Sequence, residues 1–258
     1  MCSICLARDR NGELVKMEAK LSLVMPAFNE AKTITQTINR VVSLNFVNQL
    51  VIVDDGSTDG TRQILNDLNH EKIKIVFHEK NQGKGAALHT GFKVAKGPFI
   101  GVQDADLEYD PSDLAKFRPP LLSGQADAVF GSRFRSGEVG RVLYFWHSLG
   151  NNFLTTLSNM TTNINLTDME TCYKVIRKDV LDKITLTEKR FGFEPEITAK
   201  LASRGARIYE VGISYYGRTY DEGKKIGWKD GVRAIYCIIK FWFTERSNRN
   251  VWRGFFDY

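Results

Sequence analysis

The sequence predicts a single α/β domain: a mostly parallel, Rossmann-like sheet sandwiched by helices. Three observations carry that prediction. Short β-rich runs alternate with stretches of helical periodicity through the first half of the chain. The runs are predominantly apolar, and 50–53 continuously so, as expected of strands covered on both faces. Acidic and glycine-rich segments follow individual runs, where open α/β sheets place their ligands.

Taken in order, residues 1–20 are mixed polar and read as a poorly ordered extension ahead of a domain at 21–245. Residues 21–25 form a strand, and Ile34, Ile38, Val41 and Val42 then recur at helical spacing. Residues 50–53 are a continuous apolar strand, followed by a helix over 61–68. Residues 73–77 form the third strand, and a glycine-rich start leads into a helix over 86–95. Strands at 99–102 and 126–130 flank a helix beginning near Pro111. After Gly131 the periodicity weakens. Residues 141–165 read as a helix crossing the sheet edge, 170–175 as a strand, 195–202 as a helix and 207–213 as a strand. A charged, glycine-bearing loop at 215–227 precedes a basic, aromatic helix at 228–245 and a tail at 246–258.

At 258 residues, with 43% hydrophobic and 26% charged residues, the chain can bury a full core without disulfides and is neither disordered nor collagenous. Its four cysteines make no disulfide framework. Cys2 and Cys5 form one C-x-x-C without a second pair, and His70, His78, His89 and His147 never stand at ligand spacing, which argues against zinc. A net charge of +6 suits an anionic ligand or a membrane surface and falls short of a nucleic-acid binder. The longest greasy stretch, 232–243, is interrupted by Arg233 and Lys240, whereas a spanning helix needs about 20 apolar residues. No apolar leader region opens the chain, so the expected location is cytoplasmic or peripheral on the cytosolic membrane face, not secreted.

The unusual polar groups fall at strand ends. The first strand runs into Pro26-Ala27-Phe28-Asn29-Glu30, the second into Asp54-Asp55-Gly56-Ser57-Thr58-Asp59-Gly60-Thr61, and the fourth into Gln103-Asp104-Ala105-Asp106-Leu107-Glu108. Two acidic ends in one sheet suggest a metal-assisted site. Asp104, Asp106 and Glu108 alternate, so their oxygens can converge on Mg²⁺ or Mn²⁺ together with substrate phosphates; a solvated turn before Pro111 is the competing account. Asp55-x-Ser57-x-Asp59-Gly60 imitates a calcium loop, but its twelfth position is Asn66, and a turn capping the next helix explains Ser57-Thr58-Asp59 as well. Lys84, in Asn81-Gln82-Gly83-Lys84-Gly85, places a cation and small residues at a helix start that suits phosphate, or else the backbone simply needs glycine there. Neither a Walker loop nor a G-x-G-x-x-G is present.

In order and spacing, Pro26–Glu30, Val53-Asp54-Asp55-Gly56-Ser57 and Asp104-Ala105-Asp106 resemble the family 2 glycosyltransferases of GT-A fold. More narrowly, residues 20–245 look like the polyprenyl-phosphate sugar transferases, the dolichyl-phosphate mannose and glucose synthases among them. The resemblance implies a nucleotide-sugar-binding half at 21–131 and an acceptor half at 132–227. Pro26, Ala27, Asn29 and Glu30 would line the nucleotide, and Asp55, followed by Gly56, would hold the base or ribose. Asp104, Asp106 and Glu108 would hold the metal and donor diphosphate; relatives often carry glutamine at the last position. Glu196 matches an acidic position of the acceptor half, Arg218 and Lys225 match cations that grip the diphosphate, and Arg133 matches the arginine that meets an acceptor phosphate. The stretch Asp168-Met169-Glu170-Thr171-Cys172-Tyr173-Lys174 departs from the mannose synthases.

A nucleotide-sugar donor leaves as a diphosphate, whose developing charge a metal, Arg218 and Lys225 would stabilise while in-line attack inverts the anomeric carbon. A sugar hydroxyl as acceptor needs a general base, for which Asp168 is the natural choice. A polyprenyl phosphate, with a second pKa of about 6, needs only cations, Arg133 with Arg135 or Arg141, and Asp168 would then orient the donor sugar. Residues 224–253 interleave basic and aromatic side chains, which fits a membrane interface or packing on the sheet. The resulting expectation is a metal-dependent inverting hexosyltransferase moving sugar from a UDP-glucose or GDP-mannose type donor to polyprenyl phosphate. Transfer to a saccharide hydroxyl in cell-envelope polysaccharide synthesis, with Asp168 as base, is the alternative. A silent nucleotide-sugar binder is a third reading, disfavoured by the intact Asp104-x-Asp106, Arg218 and Lys225.

Overall fold

A computed structural model describes residues 4–8, 14–18, 20–135, 141–142, 144–217 and 228–245. Within the stretch expected to be a poorly ordered extension, β1 (Ile4–Arg8) and β2 (Leu14–Glu18) pair antiparallel as a separate two-stranded sheet.

The domain then runs β3 (Leu21–Ala27), α1 (Ile34–Val42), β4 (Val47–Asp54), α2 (Thr61–Asn66), β5 (Ile73–Phe77), α3 (Lys84–Val94) and β6 (Phe99–Val102). A 3-10 helix (Pro111–Phe117) leads into α4 (Arg118–Leu122), β7 (Ala128–Ser132) and α5 (Phe145–Thr162). β8 (Lys174–Arg177), α6 (Lys178–Leu181), α7 (Phe193–Ser203), β9 (Ile208–Gly212) and α8 (Trp228–Thr244) complete the described elements. The main sheet has seven strands in the order β5-β4-β3-β6-β8-β7-β9, and its described pairings are parallel except at β8, which is antiparallel to both β6 and β7.

The predominantly apolar strands have the expected cause. Alternate residues of β3 enter opposite layers: Leu23 and Met25 pack with Ile38, Leu50 and Phe117, while Val24 packs with Val51, Leu88 and Ile197 on the other face. Near the start of the 3-10 helix, the Asp110 carboxylate accepts from the Ser112 N–H, and Pro111 tolerates the first position because its missing donor is not needed there.

Two features aim this scaffold. β3 and β6 pair only from Leu21–Phe99 to Val24–Val102 and then part. Val24 O still accepts from Gln103 N, so Pro26, on the same edge of β3 two residues on, faces the opening where no donor is required. Because β8 runs against its neighbours, its amino end lies beside the carboxyl ends of β6 and β7. The segment at 168–173, expected partly as strand, is instead a loop delivered to that same rim.

Candidate active site

At the carboxyl end of β3 the chain turns through Asn29, whose φ of 54° is left-handed. Asn29 N donates to Ser57 Oγ (3.0 Å) and its Oδ1 accepts from Thr58 N (2.9 Å), fastening the first strand end to the second. Glu30 N donates to Thr61 Oγ1, and the Glu30 carboxylate accepts from Thr33 Oγ1 (both 2.9 Å). Asp59 accepts from the N–H groups of Ala31 and Thr61 (both 3.0 Å), so Ser57-Thr58-Asp59 is a turn that braces the crevice. Thr37 Oγ1 bonds the Ala105 and Asp106 carbonyls, tying α1 to the segment that follows β6.

Asp55 is buried, and its carboxylate accepts from Gln82 N (3.0 Å) and Gly83 N (2.7 Å) while meeting His78 Nδ1 at 2.7 Å. Its oxygens therefore hold the start of α3 to the end of β4. Gly56 follows with φ +76°, and a Cβ there would lie 2.7 Å from Asn81 N, so glycine is required by this close crossing. Gly83 and Gly85 are likewise needed by protein: a Cβ would come within 2.4 and 2.2 Å of the Lys189 and Glu188 carbonyls. The backbone account of those glycines holds.

Lys84 projects from this start. Its Nζ lies 3.1 Å from Asp104 Oδ1, 3.4 Å from Glu194 Oε1 and 2.8 Å from Cys172 Sγ. Burial alone would lower its pKa, but Asp104, Cys172 and Glu194 outweigh that and hold the ammonium well above its ordinary value. Burial and the neighbouring Asp104 push the Cys172 thiol up, so it stays protonated.

From Asp104 the loop continues through Asp106, whose Oδ1 accepts from Glu108 N (3.1 Å), to Glu108, whose carboxylate accepts from Tyr215 Oη (2.9 Å). Tyr215 packs on Tyr109, and Tyr109 stacks on Tyr173 (centroids 4.7 Å), making an aromatic wall between the two halves of the site. Arg133 stands over the Tyr215 ring at 5.1 Å. It donates Nε to Asp168 Oδ2 (2.7 Å) and Nη2 to Asp168 Oδ1 (2.8 Å) and to Asn151 Oδ1 (2.9 Å). Asp168 is fully buried and also accepts from the Arg133 N–H. Burial works against the guanidinium charge, but Asp168 more than restores it. The loop that carries Asp168 is held from below by Lys174, a buried ammonium donating to the Met169 and Thr171 carbonyls beneath the Phe130 ring.

Of the residues singled out in the sequence, Lys84 and Asp104 meet directly, and the Asp106–Glu108 loop joins Arg133 and Asp168 through the tyrosines. Glu196 does not join them. It is fully buried and its carboxylate closes the 187–188 turn, accepting from Thr187 N (2.7 Å), Glu188 N (2.8 Å) and Lys200 Nζ (2.6 Å), so no donor can reach it. The acid that α7 sends to the site is Glu194, a turn-mate that sequence pattern alone does not separate from Glu196. Arg135 and Arg141 donate to the Glu210 and Gly217 carbonyls. Arg218 and Lys225 lie outside the described residues.

Among the described residues no three carboxylate, histidine or cysteine side chains group closely enough to hold a metal alone. The expected convergence of Asp104, Asp106 and Glu108 is not displayed, since Asp104 faces Lys84 and Glu108 engages Tyr215. One or two carboxylates beside a diphosphate are nonetheless what a hard divalent cation uses, and Asp104 and Asp106 fit that donor set.

The family model for Glycosyl transferase family 2 matches residues 22–185. The chain is 30% identical over 197 residues to "Glycosyltransferase AglJ" of Haloferax volcanii, covering 76% of this chain and 63% of that protein. It is also 30% identical over 236 residues to the "UDP-N-acetylglucosamine--dolichyl-phosphate N-acetylglucosaminyltransferase" of Methanococcus voltae, covering 84% of this chain and 94% of that protein. Among solved structures, glucosyl-3-phosphoglycerate synthase from Mycobacterium tuberculosis with UDP superposes with a TM-score of 0.69 at 20% identity, over 87% of this chain and 80% of that one. The same synthase with Mn²⁺, UDP-glucose and phosphoglyceric acid gives 0.67 at 19% identity, again over 87% and 80%. These neighbours share the chain's α/β fold, and the chain belongs to glycosyl transferase family 2.

Proposed function

We propose that this enzyme transfers a hexose from a nucleotide sugar to a polyprenyl phosphate, with inversion, at a membrane surface. The observation that carries the choice of acceptor is the Arg133–Asp168 pair. Asp168 accepts bidentately from Arg133 and is sealed from solvent, so it is poorly placed to take a proton from a sugar hydroxyl. A phosphate monoester needs no base, and Arg133 Nη1, with no hydrogen-bond partner among the described residues, is a donor for its oxygens. The Methanococcus relative, named for dolichyl phosphate, supports the same acceptor.

On the donor side, Asp104 and Asp106 would hold Mn²⁺ or Mg²⁺, as crystallised with UDP in the mycobacterial synthase, and that ion supplies Lewis-acid stabilisation of the leaving diphosphate. Lys84 neutralises Asp104 and offers a fixed cation beside the phosphates. By resemblance, Arg218 and Lys225 match cations that grip the diphosphate. The Asn29–Thr58 bracket and the tyrosine wall hold these groups before substrate arrives, which is the preorganisation such catalysis needs.

A membrane surface is supported by two apolar stripes. On α5, Phe145, Leu149 and Phe153 recur every four residues and are exposed, with Trp146 (76% exposed) beside them. On α8, Val232, Tyr236, Ile239 and Phe243 form a second exposed row, while Ala234, Cys237, Ile238 and Phe241 pack inward. The outward row supports the interface reading, and the inward row packs on the domain. Among the described residues no helix is long and apolar enough to cross a membrane.

The deciding experiment incubates UDP-glucose, GDP-mannose and UDP-N-acetylglucosamine separately with Mn²⁺ or Mg²⁺, with and without a short polyprenyl phosphate. Lipid-dependent release of UDP or GDP is the expected result. Turnover only with saccharide acceptors would overturn the phosphate reading. A large loss in Asp168→Asn that recovers at higher pH would do the same.

A further inference from the structure

Glu170 stands between the two halves of the site and takes part in none of the contacts described above. It is two residues from Asp168, which grips Arg133, and two from Cys172, which touches Lys84. The residue is half-buried, yet its Oε1 is sealed from solvent and has no hydrogen-bond partner. Thr171 Oγ1, next along the loop, is also buried and unpartnered. An unsatisfied buried carboxyl oxygen is costly, and natural proteins keep few of them. Here Lys174 holds the loop through the Met169 and Thr171 carbonyls, so the unpartnered polar pair is built into the fold.

We propose that Glu170 contacts the transferred hexose, its unpartnered carboxyl meeting a sugar hydroxyl, and that it helps to decide which donor sugar is accepted. The inference rests on the proposed function. Its position is the reason: a hexose bridging the donor phosphates near Lys84 and Asp104 to an acceptor near Arg133 must pass the 168–172 loop. A hydroxyl both donates and accepts, so it can complete either protonation state of a carboxyl.

The surroundings favour the neutral acid. Burial and Glu194 on α7 push Glu170 up to about 8, against the opposing pull of Lys174 on β8 and Arg133 after β7, with Asp168 on its own loop adding to the rise. A neutral carboxyl donates its hydrogen to a sugar oxygen and adds no negative charge next to a diphosphate and a phosphate. Ionisation above that pH removes the donor.

The test uses the full chain as wild type, Glu170→Gln and Glu170→Ala. Affinity for UDP alone is measured first, then kcat and KM for UDP-glucose, UDP-galactose, UDP-N-acetylglucosamine and GDP-mannose. The expected result is unchanged UDP affinity in both variants. Glu170→Ala should lose about ten- to a hundredfold in kcat/KM for the preferred donor and narrow the gap between donors. Glu170→Gln should keep most of both. Wild-type preference should decline above pH 8, and that of Glu170→Gln should not. Equal damage in the two variants, with wild-type rate rising through pH 8, would make Glu170 a general base and overturn the proposal. Weakened UDP binding in both variants would reduce the residue to a structural part, and variants indistinguishable from wild type would overturn the proposal alone. Wild type that binds no nucleotide at all would overturn the functional reading along with it.

Discussion

Asp168 and Glu170, two positions apart, behave as different chemicals because their neighbours differ. Asp168 is matched by a guanidinium and sealed; removing its charge leaves the partly buried Arg133 without its counter-ion. Asp168→Asn should therefore destabilise the fold by about 3 kcal/mol, read from urea unfolding, beyond any effect on turnover. Glu170 is poorly matched, and the sign of its pH effect is opposite to that of a salt-bridged acid. Its folded pKa of about 8 exceeds the ordinary 4.5, so between those values the native state keeps a proton that the unfolded chain has released. Wild-type stability should fall as pH rises across that window, and Glu170→Gln should lack this component in a series of thermal melts. Gly56 is a third residue-scale case. Gly56→Ala must place a methyl against the Lys80–Asn81 backbone at a left-handed φ, and a loss of about 2 kcal/mol or more is expected in the same melts.

At the scale of elements, α8 is held to the domain by a buried carboxylate as well as by its apolar face. Glu188 accepts from Arg233 Nη2 (2.6 Å) and Lys240 Nζ (2.7 Å), two cations about two helical turns apart. Burial alone would raise the Glu188 pKa, but the two cations carry it below its usual 4.5. This stabilisation is present above that value and disappears as pH falls through the lowered one. Hydrogen exchange should show α8 amides losing protection on acidification earlier than those of β3 and β4, and Glu188→Gln should loosen α8 at neutral pH. The 187–190 turn also meets Gly83 and Gly85 at the head of α3 and is closed by Glu196. One short segment thus couples the donor-side helix to α8.

For the whole molecule, the exposed stripes of α5 and α8 belong to helices that pack on each other, and they carry aromatic side chains suited to a lipid interface. Co-sedimentation with vesicles containing anionic lipid should retain the wild-type chain and weaken with salt. The combined Phe145→Ser, Trp146→Ser and Phe243→Ser variant should lose about tenfold or more in retention while keeping UDP affinity, which separates docking from donor binding.

The strand–helix alternation and the three polar strand ends were legible in the residues, because apolar periodicity and turn chemistry are local properties; the family was legible through the resemblance of the motifs at those ends. Leu21 to Val102 could be parsed almost element by element on that basis. The halves beyond Gly131 were less so: β8 is four residues long, α6 is one turn, and the direction of β8 leaves no local trace. That direction brings Asp168, Glu170 and Cys172 to the rim that Asp104 and Lys84 already occupy. Tertiary structure alone decided which carboxylates are engaged and which remain available. Asp55, Asp168 and Glu196 look alike in sequence, but each is saturated by partners from other segments, whereas Glu194 meets Lys84 and Glu170 keeps an unpartnered oxygen. A side chain's charge is written at its own position; whether it is matched depends on which segments the fold packs against it.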